Sequence, residues 1–251
     1  MTDREPIVIP EKTSAERIEF PLLDSWKFYR GNTENADTVD FDDSSWETVD
    51  IPHTWNSQDG EDGGNDYFRG TGWYRKMIRI DETASGRRIY IEFKGVNSQM
   101  ELFMNGVFIG AHKGGYTAFR FDITDMVILG GDNLFAVRVS NEADQAIAPL
   151  SGDFTFFGGI YREVSLLFVD PVHIDLNVSG SSGVFLTTEC VSEQEATLKI
   201  ASRIINDSAD VRNIVFRIVL KHPEHFTQNE FEKKYLTPFL RCLLYTSPSP
   251  R

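Results

Sequence analysis

The sequence predicts an all-β protein, a jelly-roll β-sandwich followed by an incomplete immunoglobulin-like β-sandwich. Three observations carry that expectation. Apolar residues alternate with a two-residue period, Gly- and Asn-containing turns separate the runs at short spacing, and helical signals are scarce. In "RRIYIEFKGV", Ile89, Ile91 and Phe93 alternate with Tyr90, Glu92 and Lys94, the pattern of a strand with one buried face. In "QMELFMNGVFIGAH", Asn105-Gly106 sits between two such runs, a hairpin signal because both turn residues must accept positive φ. "HKGGYTAFRFDIT" carries Gly114 and Gly115 where the backbone must turn before Phe119 and Phe121 insert on one face. "DNLFAVRVSN" and "IYREVSLLFV" supply further strands rich in β-branched and aromatic residues. "TSAERIEF" and "NEFEKKYL" offer a helical turn or two at most, and no βαβ alternation is present.

The first domain is expected to span residues 1–170, with Pro171 interrupting the ladder at the boundary. Beyond it, "VFLTTECV", "EATLKIASRIIN" and "VRNIVFRIVL" predict three strands of a partial immunoglobulin-like domain over 171–221. Their inward positions are Leu198, Ile200, Ile204, Ile214, Phe216, Ile218 and Leu220. A complete sandwich of that type needs about seven strands, so this region is expected to leave an apolar face and a sheet edge uncovered, with low stability alone. Residues 222–241 form a tail of uncertain origin. The closing stretch "CLLYTSPSPR", Cys242–Arg251, matches the codons TGT CTC TTA TAC ACA TCT CCG AGC CCA CGA of a transposon-end sequencing adapter. The expectation is therefore a gene model cut short, with its natural C-terminus elsewhere.

Composition excludes several functions. The 38 acidic against 25 basic residues leave a formal charge of −13, which opposes nucleic acid and anionic membrane surfaces in the absence of a segregated basic patch. The start "MTDREPIVIPEK" has no signal-peptide core, and no run approaches the roughly 20 apolar residues of a membrane helix, so a cytoplasmic location is expected. Cys190 and Cys242 are too few for a disulfide framework or a zinc site. The acidic stretch "DGEDGGND" does not fit an EF-hand, since Gly63 takes a ligand position and Gly70 stands where the bidentate Glu belongs. It is read as a solvated loop, and no metal site is assigned. His53 is read as a hydrogen-bonded turn histidine, and His112 and Lys113 as surface or loop residues. Trp55 is expected to be buried with its indole N–H on an acceptor.

Five motifs, "LDSWKFYRG", "FDDSSWETVDIPHTWN", "RGTGWYRK", "LFMNGVFIGAHKGGYTAFRFDIT" and "DFTFFGGIYREV", occur in this order. Together they resemble the N-terminal sugar-binding domain of glycoside hydrolase family 2, which contains β-galactosidases, β-glucuronidases and β-mannosidases. The resemblance covers about residues 18–170 and continues by strand pattern through about Leu220. The "PHTWN" and "GGIYREV" forms are closest to the β-galactosidase-like members.

The family resemblance implies a retaining hydrolase with two glutamates on a (β/α)8 barrel, their carboxyl groups about 5 to 5.5 Å apart. Such a barrel needs about 250 residues, and 81 follow Asp170. No catalytic residue is assigned; neither Asn141-Glu142 nor Asn229-Glu230 has the barrel context that gives an Asn-Glu pair its role. The chain alone is expected to be inactive and to require no cofactor, while the resemblance implies a monovalent or divalent cation in the full-length enzyme. The expected partner is a carbohydrate, a β-galactoside or related glycoside, and the full-length enzyme is expected to be homo-oligomeric.

By its residues alone Asp153 is a turn residue capping "FTFF". By motif position it matches the family's aspartate that touches the sugar nearest the scissile bond. Arg69, in "FRGTGWY", is the second substrate-binding candidate implied by the resemblance. Phe156 and Phe157 can stack on a pyranose face, with core packing the favoured reading. Two other classes fit the sandwich: a free-standing carbohydrate-binding module and a non-catalytic β interaction domain.

Overall fold

The computed structural model describes residues 5–10, 17–59, 66–149, 152, 154–215 and 217–218. They are almost entirely β and fall into two units, divided at Pro171 except that Ser179–Ser181 belongs with the first.

The strands of the first unit are β1 (Ile18–Pro21), β2 (Trp26–Arg30), β3 (Glu47–Val49), β4 (Thr71–Arg79), β5 (Arg88–Phe93), β6 (Gln99–Met104), β7 (Val107–Lys113), β8 (Phe119–Asp122), β9 (Asp132–Ser140) and β10 (Val164–Val169). They form a six-stranded sheet ordered β3-β2-β4-β9-β6-β7 and a four-stranded sheet ordered β1-β10-β5-β8. Alternation fills the space between them. Tyr74 from β4, with Phe135, Val137 and Val139 from β9, meets Ile89, Ile91 and Phe93 from β5 and Leu166 and Phe168 from β10 in one buried cluster. The Asn105-Gly106 hairpin forms as expected, at φ 52° and 81°. Asn105 does more than turn the chain, because its Oδ1 accepts from the Leu134 N–H at 2.8 Å and ties the hairpin to β9. Gly114 adopts φ 120° just before Phe119 and Phe121 enter the core side.

Both sheets are also covered on their outer faces, which the alternation alone did not predict. Tyr90 and Glu92 of β5 are buried along with Ile89, Ile91 and Phe93. Glu92 is charge-paired to Arg120 on the neighbouring β8, with Arg17 at 3.9 Å, and Arg120 also donates to the Ser181 carbonyl at 2.6 Å. On the other sheet, the segment 31–46 lies over β4 and β9, where Ala36, Trp46, Trp73 and Ala136 make a second small core. Arg75, 2% exposed, holds that segment: it donates to Asp43 Oδ2 at 2.8 Å and to the Thr38 carbonyl at 2.9 Å, and its guanidinium lies over the Phe41 ring at 5.3 Å. Two further expectations are corrected. Residues 18–20 of "TSAERIEF" lie in β1 rather than in a helical turn, because pairing with β10 satisfies their backbone. The "IYREV" strand begins only at Val164. The run "NEFEKKYL" lies outside the described residues.

The second unit contains β11 (Val172–Ile174), β12 (Val184–Val191), β13 (Ala196–Ser202) and β14 (Ile204–Asn206). β12 and β13 form a hairpin, and β11 pairs with β14. Buried Asp175 is ion-paired to Arg203, and its N–H donates to the Arg203 carbonyl at 2.8 Å. The predicted strand over 211–220 is not formed among its described residues, and Val211, Ile214 and Val215 are exposed. A strand there needs a neighbour to take its N–H and C=O groups, and none pairs with it among the described residues. Leu198, Ile200 and Ile204 are only half-buried, while Leu186 and Val191 of β12 are 63% and 70% exposed. Phe216 and Leu220 lie outside the described residues. No helix among those described is long and apolar enough to cross a membrane.

Limited proteolysis should therefore cut first within 184–218 and leave a product ending near Pro171, since few apolar contacts oppose local opening there. Equal resistance of the two units would show that the exposed apolar side chains of β12 are covered in solution.

Candidate functional site

Past β9 the chain runs through 141–149, and ahead of β10 it passes through 154–163; both segments meet the 53–59 and 66–70 loops at one end of the sandwich. The Gly158-Gly159 pair sits where they converge. A Cβ on Gly158 would lie 2.1 Å from the Trp55 ring, and one on Gly159 would lie 2.6 Å from both the His53 carbonyl and the Tyr74 hydroxyl. Gly159 also adopts φ 124°. Both glycines are thus demanded, the first by contact with the indole and the second by conformation as well. Backbone bonds close the junction: His53 N–H donates to the Ile160 carbonyl at 2.8 Å and Asn97 N–H to the Gly159 carbonyl at 3.1 Å. Pro52 lies exposed in the turn beyond β3.

His53 proves to be a structural histidine. Its ring lies 4.6 Å from Phe28, and its Nδ1 is 2.8 Å from the Tyr74 hydroxyl. Burial pushes the Tyr74 phenol far above its ordinary value, so it stays protonated. Burial likewise lowers the His53 pKa, against an opposing pull from Glu47, which keeps the imidazole neutral. His112 is not a loop residue: it lies in β7 and stacks on Phe119 at 3.8 Å, and burial lowers its pKa too, opposed by the Gly114 backbone. Lys113 is exposed and pairs with Asp144 at 2.9 Å. Trp55 is buried as expected, but its indole N–H, packed close to Gly158, has no acceptor among the described residues.

A cavity of about 530 Å³ opens beside this junction, bordered by Arg69, Asn97, Glu142, Asp144, Gln145 and Phe156, among others. Arg69 stands on its rim. Its guanidinium lies 4.7 Å above the Phe156 ring and 5.1 Å from that of Tyr67, and its Nε donates to the Tyr67 hydroxyl at 3.1 Å. The same hydroxyl accepts from the Phe156 N–H at 3.2 Å. Phe156 is therefore half-buried beneath Arg69 rather than in the core, and the exposed Phe154 ring lies 5.0 Å from it. Asp153 lies outside the described residues, three positions before Phe156. Phe157 is also half-buried, and its carbonyl accepts from Asn97 Nδ2 at 2.8 Å.

Asp59, the first acid of "DGEDGGND", accepts from Asn56 Nδ2 and the Phe68 N–H, both at 3.0 Å. Asp144 accepts from Lys113 and from the Ala146 N–H, which holds its carboxyl below the usual range. Among the described residues no group of three or more His, Cys, Asp and Glu side chains is placed to hold a metal ion.

Residues 22–170 match the profile described as "Glycosyl hydrolases family 2, sugar binding domain". The chain belongs to glycosyl hydrolase family 2. It is 42% identical over 196 residues to a β-glucuronidase of Bacteroides fragilis, covering 78% of this chain and 27% of that protein. To the β-galactosidase BoGH2A of Bacteroides ovatus it is 34% identical over 206 residues, covering 79% and 23%. Among solved structures, Bacteroides uniformis β-glucuronidase 2, covalently bound to cyclophellitol-6-carboxylate aziridine, superposes with a TM-score of 0.72 at 42% identity, covering 77% of this chain and 23% of that one. The chain thus spans about a quarter of the length of these relatives. Both glucuronidases and galactosidases stand among them, so the motif forms "PHTWN" and "GGIYREV" do not by themselves separate the two.

The residues that sequence reasoning missed are Asn56, Asn97, Asn141 and Tyr67. A signal existed for one: Asn141 continues the parity of Phe135, Val137 and Val139, placing a polar side chain where alternation puts the core.

Gly158→Ala should lower stability by about 1–3 kcal/mol through overpacking against Trp55, read by denaturant unfolding. Stability should also depend on pH through His53 and His112. Both bind protons more weakly folded than unfolded, so their contribution is complete above the ordinary value of 6.5 and erodes as pH falls through it toward the depressed folded values. Denaturation midpoints measured from pH 7 to pH 5 should fall, and His53→Phe should remove part of that slope.

Proposed function

We propose that this chain is the sugar-binding portion of a retaining β-glycosidase and that its cavity rim contacts the sugar beside a catalytic site formed outside these residues. The sugar class proposed is the β-glucuronide, and the observation carrying it is the 42% identity to a β-glucuronidase over most of the chain. The chemistry of Arg69 supports the same choice. Two of its nitrogens are occupied by Tyr67, while Nη1 has no partner among the described residues. A guanidinium edge free at the rim suits a carboxylate, which it grips through paired charge-assisted hydrogen bonds. Asp153 is proposed, from its motif position, as an acceptor for sugar hydroxyls. A β-galactoside is the second reading, favoured by the 34% identity to β-galactosidases.

Breaking the acetal needs a close pair of carboxyl groups, one as nucleophile and one as acid/base. Asp153 and Arg69 do not form such a pair; they orient a sugar and hold it against a reaction centre. The cation implied by the family would belong to the whole enzyme, and no step here runs through it.

The purified chain should show no turnover of chromogenic β-glucuronide, β-galactoside or β-mannoside, and measurable hydrolysis would overturn the non-catalytic assignment. Saturation-transfer NMR should detect methyl β-D-glucuronide more strongly than methyl β-D-galactoside, with Arg69→Gln abolishing the difference. Preference for the galactoside in the wild-type chain would transfer the assignment to the second reading.

A further inference from the structure

Two buried side-chain amides lie between the loops that frame the cavity. Asn56 is 0% exposed and Asn141, which borders the cavity, is 3% exposed. Their hydrogen bonds fall on the peptides flanking Arg69. The Phe68 carbonyl accepts from Asn56 Nδ2 at 3.0 Å and from Asn141 Nδ2 at 3.2 Å, and the Gly70 N–H donates to Asn141 Oδ1 at 2.8 Å. The same two amides hold the opposite wall. The Phe156 carbonyl accepts from Asn141 Nδ2 at 3.0 Å, and the Gly158 N–H donates to Asn56 Oδ1 at 2.8 Å. Asn141 Nδ2 lies 3.2 Å from Asn56 Oδ1, which joins the two side chains. The partners also settle the amide orientations, because Gly70 offers only a donor and Phe156 only an acceptor.

An apolar side chain could fill this volume but could not serve these backbone groups. Asn141 alone links three segments: the strand end that carries it, the Arg69 loop and the Phe156 loop. The Asn56 amide spans the same gap from the Trp55 turn. Removing the Asn141 amide leaves the Gly70 N–H and the Phe156 carbonyl without it together, and the spacing between guanidinium and ring then rests on the Tyr67 hydroxyl and on the Asn141 backbone N–H, which donates to the Gly70 carbonyl at 3.1 Å.

We infer that Asn141, acting with Asn56, is a positioning residue of the sugar site: it fixes Arg69 against Phe156, with its own polar atoms engaged by the protein. The consequence for sugar affinity rests on the function proposed above; the positional claim does not.

The two claims separate in one NMR experiment on the isotopically labelled chain. Without sugar, the Arg69 side-chain protons should carry an upfield ring-current shift from Phe156, and Asn141→Ala should reduce it while the rest of the sandwich spectrum is kept. Gly70 amide exchange should accelerate roughly tenfold or more in that variant. Asn141→Leu fills the volume with neither donor nor acceptor, so it should reduce the ring-current shift and accelerate Gly70 exchange in the same way. It also serves if Asn141→Ala does not fold. Retention of the Arg69 shift in either folded variant overturns the inference. Titration with methyl β-D-glucuronide should perturb Arg69 in the wild type and raise the apparent Kd roughly tenfold in Asn141→Ala. A wild-type chain unperturbed at Arg69 counts against the sugar reading alone, since the positional inference is decided by the sugar-free spectra.

Discussion

The geometry at the cavity end of the sandwich depends on one close approach. The chain running toward β10 presses Gly158 against the face of Trp55 and Gly159 against the His53 carbonyl and the Tyr74 hydroxyl. Any side chain at either position would hold the segment off the 53–59 turn. Because the segment lies flat, the Phe156 carbonyl and the Gly158 N–H come within reach of Asn141 and Asn56. The same amides then reach Phe68 and Gly70 on the facing loop. The position of Arg69 over Phe156 is thus the last step in a chain of contacts that begins with two missing Cβ atoms.

Arg75 and the Glu92–Arg120 pair follow one rule: the buried charge is spent on backbone or on an opposite charge. Arg75 pins the 31–46 segment over the six-stranded sheet through three carbonyls and Asp43. Glu92 and Arg120 are both nearly inaccessible and answer one another across β5 and β8. Removing one partner of such a pair leaves the other buried and uncompensated, which costs more than the pair contributes. Arg69 departs from the rule. It is exposed, held by a phenol and an aromatic face, and one of its terminal nitrogens has no partner among the described residues. A cation positioned but only partly satisfied is what a binding rim requires.

The two units differ in what their strands have to pack against. In the first, the inward faces of ten described strands meet in one cluster. In the second, the β12–β13 hairpin carries Leu186 and Val191 into solvent, and residues 211–215 form no strand. The alternation of "VRNIVFRIVL" is real, but a period-two pattern only makes a strand possible. A neighbouring backbone has to complete it.

The all-β class, the Asn105-Gly106 hairpin, the strands β5, β6, β7 and β9 and the need for glycine at 114 were legible in the sequence, because periodicity and positive-φ turns are local properties. The family motifs directed attention to Arg69 and Asp153 by position alone. The burial of Tyr90 and Glu92, the anchoring of 31–46 by Arg75, the placement of Phe156 under Arg69 and the Asn56–Asn141 link were decided only in the folded chain. Each depends on segments 28 to 102 residues apart being brought together. An amide's partners are chosen by which backbone groups the fold delivers to it, and no local pattern carries that information.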